Sequence, residues 1–117
     1  VALGIGRAAE AILQVAAGSL APIDVLALGP LTNLAAASRK DPGLMRERIA
    51  RIIFVADTEK HAPFNVRCDP LAAQQVLSLG IPMHLIGAKC RPSKEWIRET
   101  SSRIVSQSTG SGACLLQ

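Results

Sequence analysis

The chain of 117 residues has room for one modest domain and no more. Hydrophobic residues make up 49% of it, with two Phe, one Trp and no Tyr, so the core must be built from Ala, Leu, Ile and Val in thin helix-on-sheet layers. Thirteen Lys and Arg against nine Asp and Glu give a formal charge of +4, but Arg46, Arg48 and Arg51 are dispersed among acidic and apolar neighbours, which argues against a nucleic-acid partner.

In chain order, Ala8, Ala11, Ile12, Val15 and Ala16 recur at helical spacing and predict an amphipathic helix over 7–18, stopped at Gly18. An apolar run of strand length follows over 23–28, ended by Gly29-Pro30. Thr32-Asn33 then leads into a helix from about Leu31 to Ser38, with Arg39 and Lys40 suiting its C-terminus. Asp41-Pro42 places an N-cap and a first-turn proline at the head of a further helix to Ala50, with Leu44, Met45 and Ile49 facing inward. Residues 51–56 form a second strand, apolar on both faces, as a parallel sheet covered on both sides requires.

Residues 57–68 read as the longest irregular and most polar stretch. Asp69-Pro70 repeats the cap chemistry, and Ala72, Ala73, Val76 and Leu77 give the next helix a packing face before Gly80 ends it. Residues 82–87 predict a third strand, and 92–106 a helix with Trp96, Ile97, Ile104 and Val105 as its apolar positions. The Ser/Gly-rich stretch 106–112 reads as a loop. Both ends of the chain look like apolar half-elements, so the expectation is a partial α/β domain over residues 1–117, cut at both ends.

Strands alternating with helices predict an α/β fold, a parallel sheet with helices on both faces. All three strands then point one way. Their carboxyl ends gather Thr32, Asn33, Asp57, Glu59, His61, Asn65, Lys89 and Arg91 along one edge, where ligands of open α/β sheets bind. His61 and Asp57 share a loop and could form an acid/base pair or simply a solvated turn. His84 falls inside a strand, Asp69 is explained as a cap, and Asp24 lies at the wrong end of its strand. Three widely spaced cysteines, Cys68, Cys90 and Cys114, show neither a disulfide framework nor zinc spacing and suit a reducing, cytoplasmic setting. No apolar run is long enough for a membrane span, so no membrane partner is expected.

Two motifs carry a resemblance. Leu28-Gly-Pro-Leu-Thr-Asn-Leu34 and Phe64-Asn-Val-Arg-Cys-Asp-Pro-Leu-Ala-Ala73 flank a buried strand, with Gly80-Ile-Pro beyond them. In that order the chain resembles the inosine-uridine preferring nucleoside hydrolase family over about residues 8–92. The resemblance implies an α/β sheet with its site at the carboxyl strand ends. The implied reaction cleaves the N-glycosidic bond of purine or pyrimidine ribonucleosides, giving ribose and free base with calcium-activated water, as in nucleoside salvage. It implies that Thr32 offers a backbone carbonyl to calcium, that Asn65 binds ribose hydroxyls and that Phe64 lines the pocket.

Several family features are not matched. The acidic calcium motif and the later His-Asp pair are missing, Val55-Ala56-Asp57 stands for Met-Gly-Gly, and Pro63 replaces a ribose-binding Glu. Ala88-Lys89-Cys90 replaces a usual acidic residue. No catalytic residue is assigned, and the chain alone is expected to be inactive. The alternative is a degenerate, non-catalytic structural or interaction module of the same fold. In either case self-association, or a partner covering bare apolar faces, is expected.

Overall fold

Alternation of short apolar strands with Ala-rich helices builds the molecule, whose computed structural model describes residues 2–56, 63–87, 90 and 92–107. Helix α1 (Ala2–Gly18) begins five residues earlier than the periodicity predicts and leads into strand β1 (Ile23–Ala27). Helices α2 (Thr32–Lys40) and α3 (Pro42–Arg48) then precede strand β2 (Ile49–Val55). Short helix α4 (Phe64–Cys68) and helix α5 (Pro70–Leu77) lead to strand β3 (Met83–Ile86), and helix α6 (Lys94–Gln107) follows. The three strands form one parallel sheet in the order β1-β2-β3.

The cap chemistry is realised at both Asp-Pro pairs. Asp41 Oδ1 accepts from Leu44 N at 2.9 Å, while its own N–H closes α2 on Ala37 O at 3.0 Å. Asp69 Oδ1 accepts from Ala72 N at 3.0 Å. Gly80 adopts φ +74°, a left-handed conformation that an L side chain would strain, and so turns the chain from α5 into β3. Arg48 closes α1 from a distance: its Nε donates to Ala16 O at 3.2 Å and its guanidinium also reaches the Ser19 carbonyl.

Small side chains let the helices approach closely. Ala9 of α1, Ala35 and Ala37 of α2 and Ala73 of α5 are buried in one cluster with Ile52 and Phe54 of β2. Beside it, the hydroxyl of buried Ser38 donates to Ala35 O at 2.8 Å and accepts from Gln75 Nε2 at 3.2 Å, joining α2 to α5. Lys40 and Glu10 bridge α2 to α1 at 2.8 Å on the surface.

Three expectations need adjustment. Ile49 is buried, but as the first residue of β2 rather than the last inward position of a helix, because it pairs with Ile23. Leu77 is 60% exposed, since no described element lies over its side of α5. Residues 64–68, placed in the irregular stretch, form one helical turn with Pro63 at its N-cap.

The parallel sheet is present, and its two faces differ. Val25, Ala27, Ile52, Phe54 and Met83 face the cluster formed with α1, α2, α3 and α5. On the opposite face Leu26, Ile53 and His84 stand in one row of the register, and Val55 stands beside Ile86. Among the described residues that face carries no fully buried side chain: Leu26 and His84 are exposed, and Ile53, Val55 and Ile86 are half-buried. Helix α6 has no buried residue and no extensive packing against another element.

Candidate functional site

The turn between β1 and α2 and the start of α4 meet at the carboxyl ends of β1 and β2. Asn65 makes the junction. Its Nδ2 donates to Val55 O at 2.9 Å and to Leu28 O at 3.3 Å. Carbonyl oxygens only accept, so these partners identify the amide nitrogen, and Oδ1 is left as the atom able to face a ligand hydroxyl. Phe64, beside it, is 68% exposed, and the described residues do not enclose it.

Thr32 opens α2 without capping it, since the N-cap position is Leu31 and no side chain caps the helix. Its hydroxyl instead donates to Asp69 Oδ2 at 2.6 Å. Asp69 therefore caps α5 with one oxygen and holds the α2 turn with the other. The Thr32 bond, then the Ala72 N–H and the charge of Arg39, keep this carboxyl below the ordinary aspartate range against the opposing effect of burial. The sequence gives Asp69 only its capping role. Its place in the second motif and that of Thr32 in the first were the available signal, but no spacing rule links residues 37 positions apart.

Asn33 is exposed and lines an open groove of about 570 Å³ along the free edge of β1, with Ile12, Val15, Leu26, Leu28 and Pro30 among the other walls. That groove is mostly apolar. Asp57, Glu59, His61, Lys89 and Arg91 lie outside the described residues, and so does the suggested His61–Asp57 pair. His84 is exposed on edge strand β3. Asp24, at the amino end of β1, is spent on an ion pair with Arg51 at 2.6 Å.

A hard dication such as calcium takes six to eight oxygens, several of them from carboxylates. Among the described residues no group of three or more His, Cys, Asp or Glu could hold a metal ion. Both oxygens of Asp69, the acid beside Thr32, are already engaged. The Thr32 carbonyl is one ligand at most, so the described residues do not by themselves fit a calcium site. Cys68 and Cys90 are exposed free thiols. Among the described residues no helix is long and apolar enough to cross a membrane.

Comparison with known proteins gives one consistent match. The family model described as inosine-uridine preferring nucleoside hydrolase matches residues 4–113. A probable uridine nucleosidase 2 from Oryza sativa is 33% identical over 87 residues, covering 68% of this chain and 26% of that protein. The pyrimidine-specific ribonucleoside hydrolase RihA of Klebsiella pneumoniae is 34% identical over 86 residues, covering 68% and 27%. In fold, the chain is similar to the crystal structure of an inosine-uridine preferring nucleoside hydrolase from Bacillus anthracis. The TM-score is 0.69 at 24% identity, with 82% of this chain and 36% of that one covered. The chain thus spans about a quarter of the length of each of these two relatives.

Proposed function

Because the chain belongs to the inosine-uridine preferring nucleoside hydrolase family, we propose that it supplies the ribose-facing part of a site that hydrolyses the N-glycosidic bond of ribonucleosides. The observation that carries this reading is the junction at Asn65. One amide joins the ends of two adjacent parallel strands and leaves its oxygen at the sheet edge, beside the turn that holds Thr32. A side chain pinned by its own donor cannot rotate away, so its acceptor is preorganised for a sugar hydroxyl. Phe64 adds an apolar surface next to it.

Catalysis needs more than this. Cleaving the bond to a base builds positive charge on the ribose, and water must be activated on the other side of the anomeric carbon. The acidic cluster for a calcium ion is not found among the described residues. We therefore assign sugar recognition, and not turnover, to the chain alone. The exposed thiols of Cys68 and Cys90 suit a reducing, cytoplasmic setting.

Two measurements test the reading. Titration calorimetry with ribose and uridine should give heat with the wild-type chain and none with Asn65→Ala; equal binding by both removes Asn65 from the site. Release of base from inosine, uridine or p-nitrophenyl riboside should be undetectable with and without calcium. Calcium-dependent release by the purified chain would overturn the assignment of recognition without turnover. A second reading, a non-catalytic interaction module of the same fold, is favoured by the uncovered face of the sheet. Absence of any sugar binding would leave that reading standing.

A further inference from the structure

Three polar ties join the stretch after β1 to the stretch after β2, and all three share one spacing. Asn65 Nδ2 donates to Leu28 O at 3.3 Å, the Thr32 hydroxyl donates to Asp69 Oδ2 at 2.6 Å, and Gln75 Nε2 donates to Ser38 Oγ at 3.2 Å. Each pair lies 37 residues apart in sequence. A constant offset means that residues 28–38 and 65–75 run side by side in the same direction. They are tied at the strand end, at the heads of α2 and α5, and farther along those helices.

The ties are unequal. At the far end Gln75 also donates to Ala35 O at 3.3 Å and accepts from Arg39 at 2.7 Å, beside the buried Ala35, Ala73 and Val76. That end has several holds. Between it and Asn65 stands the Asp69–Thr32 bond, from a carboxylate whose other oxygen is fixed on Ala72 N. The Leu28–Asn65 bond is the longest of the three ties, at the outer limit of the usual N–H···O range, so a small shift of either partner breaks it.

That long bond gives the Asn65 oxygen its direction. With Val55 O at 2.9 Å as sole partner the amide could turn about the remaining bond, because the last torsion of Asn has broad wells. The second acceptor, Leu28 O, removes that freedom and fixes where Oδ1 points. Leu28 belongs to the turn that Thr32 ends, so its distance from Asn65 depends on what holds Thr32.

We propose that Asp69 is a positioning residue for the Asn65 amide, acting through the Thr32 hydroxyl and the Leu28 carbonyl. It touches no substrate itself. Without the Asp69–Thr32 bond the turn after β1 relaxes, the Leu28–Asn65 bond opens, and Oδ1 loses its fixed direction, so a sugar hydroxyl is held less tightly. This last step rests on the reading that Asn65 receives a ribose hydroxyl; the positioning does not.

Asp69→Ser and Thr32→Val break the tie from opposite ends. Serine still caps a helix but is too short to reach Thr32 as well, and valine keeps the threonine shape without the hydroxyl. Nuclear magnetic resonance of the 15N-labelled chain follows the Asn65 side-chain amide, identified by its loss in Asn65→Ala, and calorimetry gives the affinity for uridine. Both variants should speed exchange of the Asn65 amide protons with water severalfold and weaken uridine binding about tenfold, the loss of one ordinary hydrogen bond. Thr32→Ser, which restores the hydroxyl, should recover both. Asp41→Ala removes the matching cap from α3, away from the site, and should lower stability while changing neither readout. Unchanged exchange in Asp69→Ser and Thr32→Val overturns the proposal, and so does an equal change in Asp41→Ala, which would mean general loosening. Faster exchange with unchanged uridine affinity overturns the link to recognition. A wild-type chain that binds no uridine removes the sugar reading, and amide exchange alone then decides the positioning. Should one of the two variants fail to fold, the other decides.

Discussion

The Thr32 hydroxyl donates a 2.6 Å hydrogen bond to Asp69 Oδ2, so one carboxylate ties the turn after β1 to the head of α5. The two sequence motifs that carry the family likeness are thereby joined in space, at the sheet edge where Asn65 also stands. The bond runs between separate helices, so it fixes how the two turns sit relative to each other. Capping alone would not do that.

Asp41 and Asp69 head their helices in the same way, but only Asp69 has a second partner. Asp41→Ala should lower stability by about 1 kcal/mol, the usual loss for an N-cap. Asp69→Ala should lower the melting temperature further than Asp41→Ala does, and Thr32→Val should account for the difference. In the Asp69→Ala background Thr32→Val should then have little added effect. Thermal melts of the three single variants and the double variant check this, and strict additivity of Thr32→Val with Asp69→Ala would show that the bond contributes nothing.

The same bond predicts a pH dependence. The folded Asp69 carboxyl is held below its ordinary value, chiefly by Thr32, so as pH falls the unfolded chain takes up the proton first. The stabilisation is complete above the ordinary aspartate value of about 3.9 and is lost as pH falls from there through the lower folded value. Thr32→Val should narrow that loss. Urea unfolding between pH 6 and pH 2 should therefore show wild type and Thr32→Val converging in stability at the acid end.

Local chemistry explains which features the sequence revealed. Each Asp-Pro pair contains its whole cap within four residues, and the strands are short apolar runs, β1 and β3 closed by Gly29-Pro30 and Gly87, so both were readable. Ile49 continued the helical spacing of Leu44 and Met45, and only pairing with Ile23, across the sheet, draws it into β2. Leu77 had the right phase for an inward position, but phase does not say whether a neighbour exists to cover it. The single turn of α4 is too short to carry a period. Of the site, Thr32 and Asn65 were legible as residue types at strand ends. Their bonding was not, because Thr32–Asp69 and Asn65–Leu28 each span 37 residues.

Asn65 offers a sharper substitution than removal. Asn65→Ala deletes both donated bonds and should cost about 1 kcal/mol. Asn65→Asp keeps the shape but aims a carboxylate at two carbonyl oxygens that can only accept, so at pH 7 it should cost more than Asn65→Ala. Below about pH 4 the acid becomes protonated, can donate again, and should recover to at least the stability of Asn65→Ala. Denaturant curves of both variants at pH 7 and pH 3.5 measure the crossover. Equal cost at both pH values would mean that the amide donors do not hold the strand ends.

The unequal faces of the sheet predict unequal tolerance of the same chemical change. Ile52 is fully buried among α2, α3 and α5 residues, and Ile52→Ala should lower stability by about 2–5 kcal/mol as a cavity forms. Leu26, in the adjacent strand and on the opposite face, is 58% exposed. Leu26→Ala should change the stability of the single chain by about 0.5 kcal/mol or less. Urea unfolding of the two variants against wild type measures both costs. A cost at Leu26 as large as that at Ile52 would mean that the Leu26 face is covered as tightly as the core face.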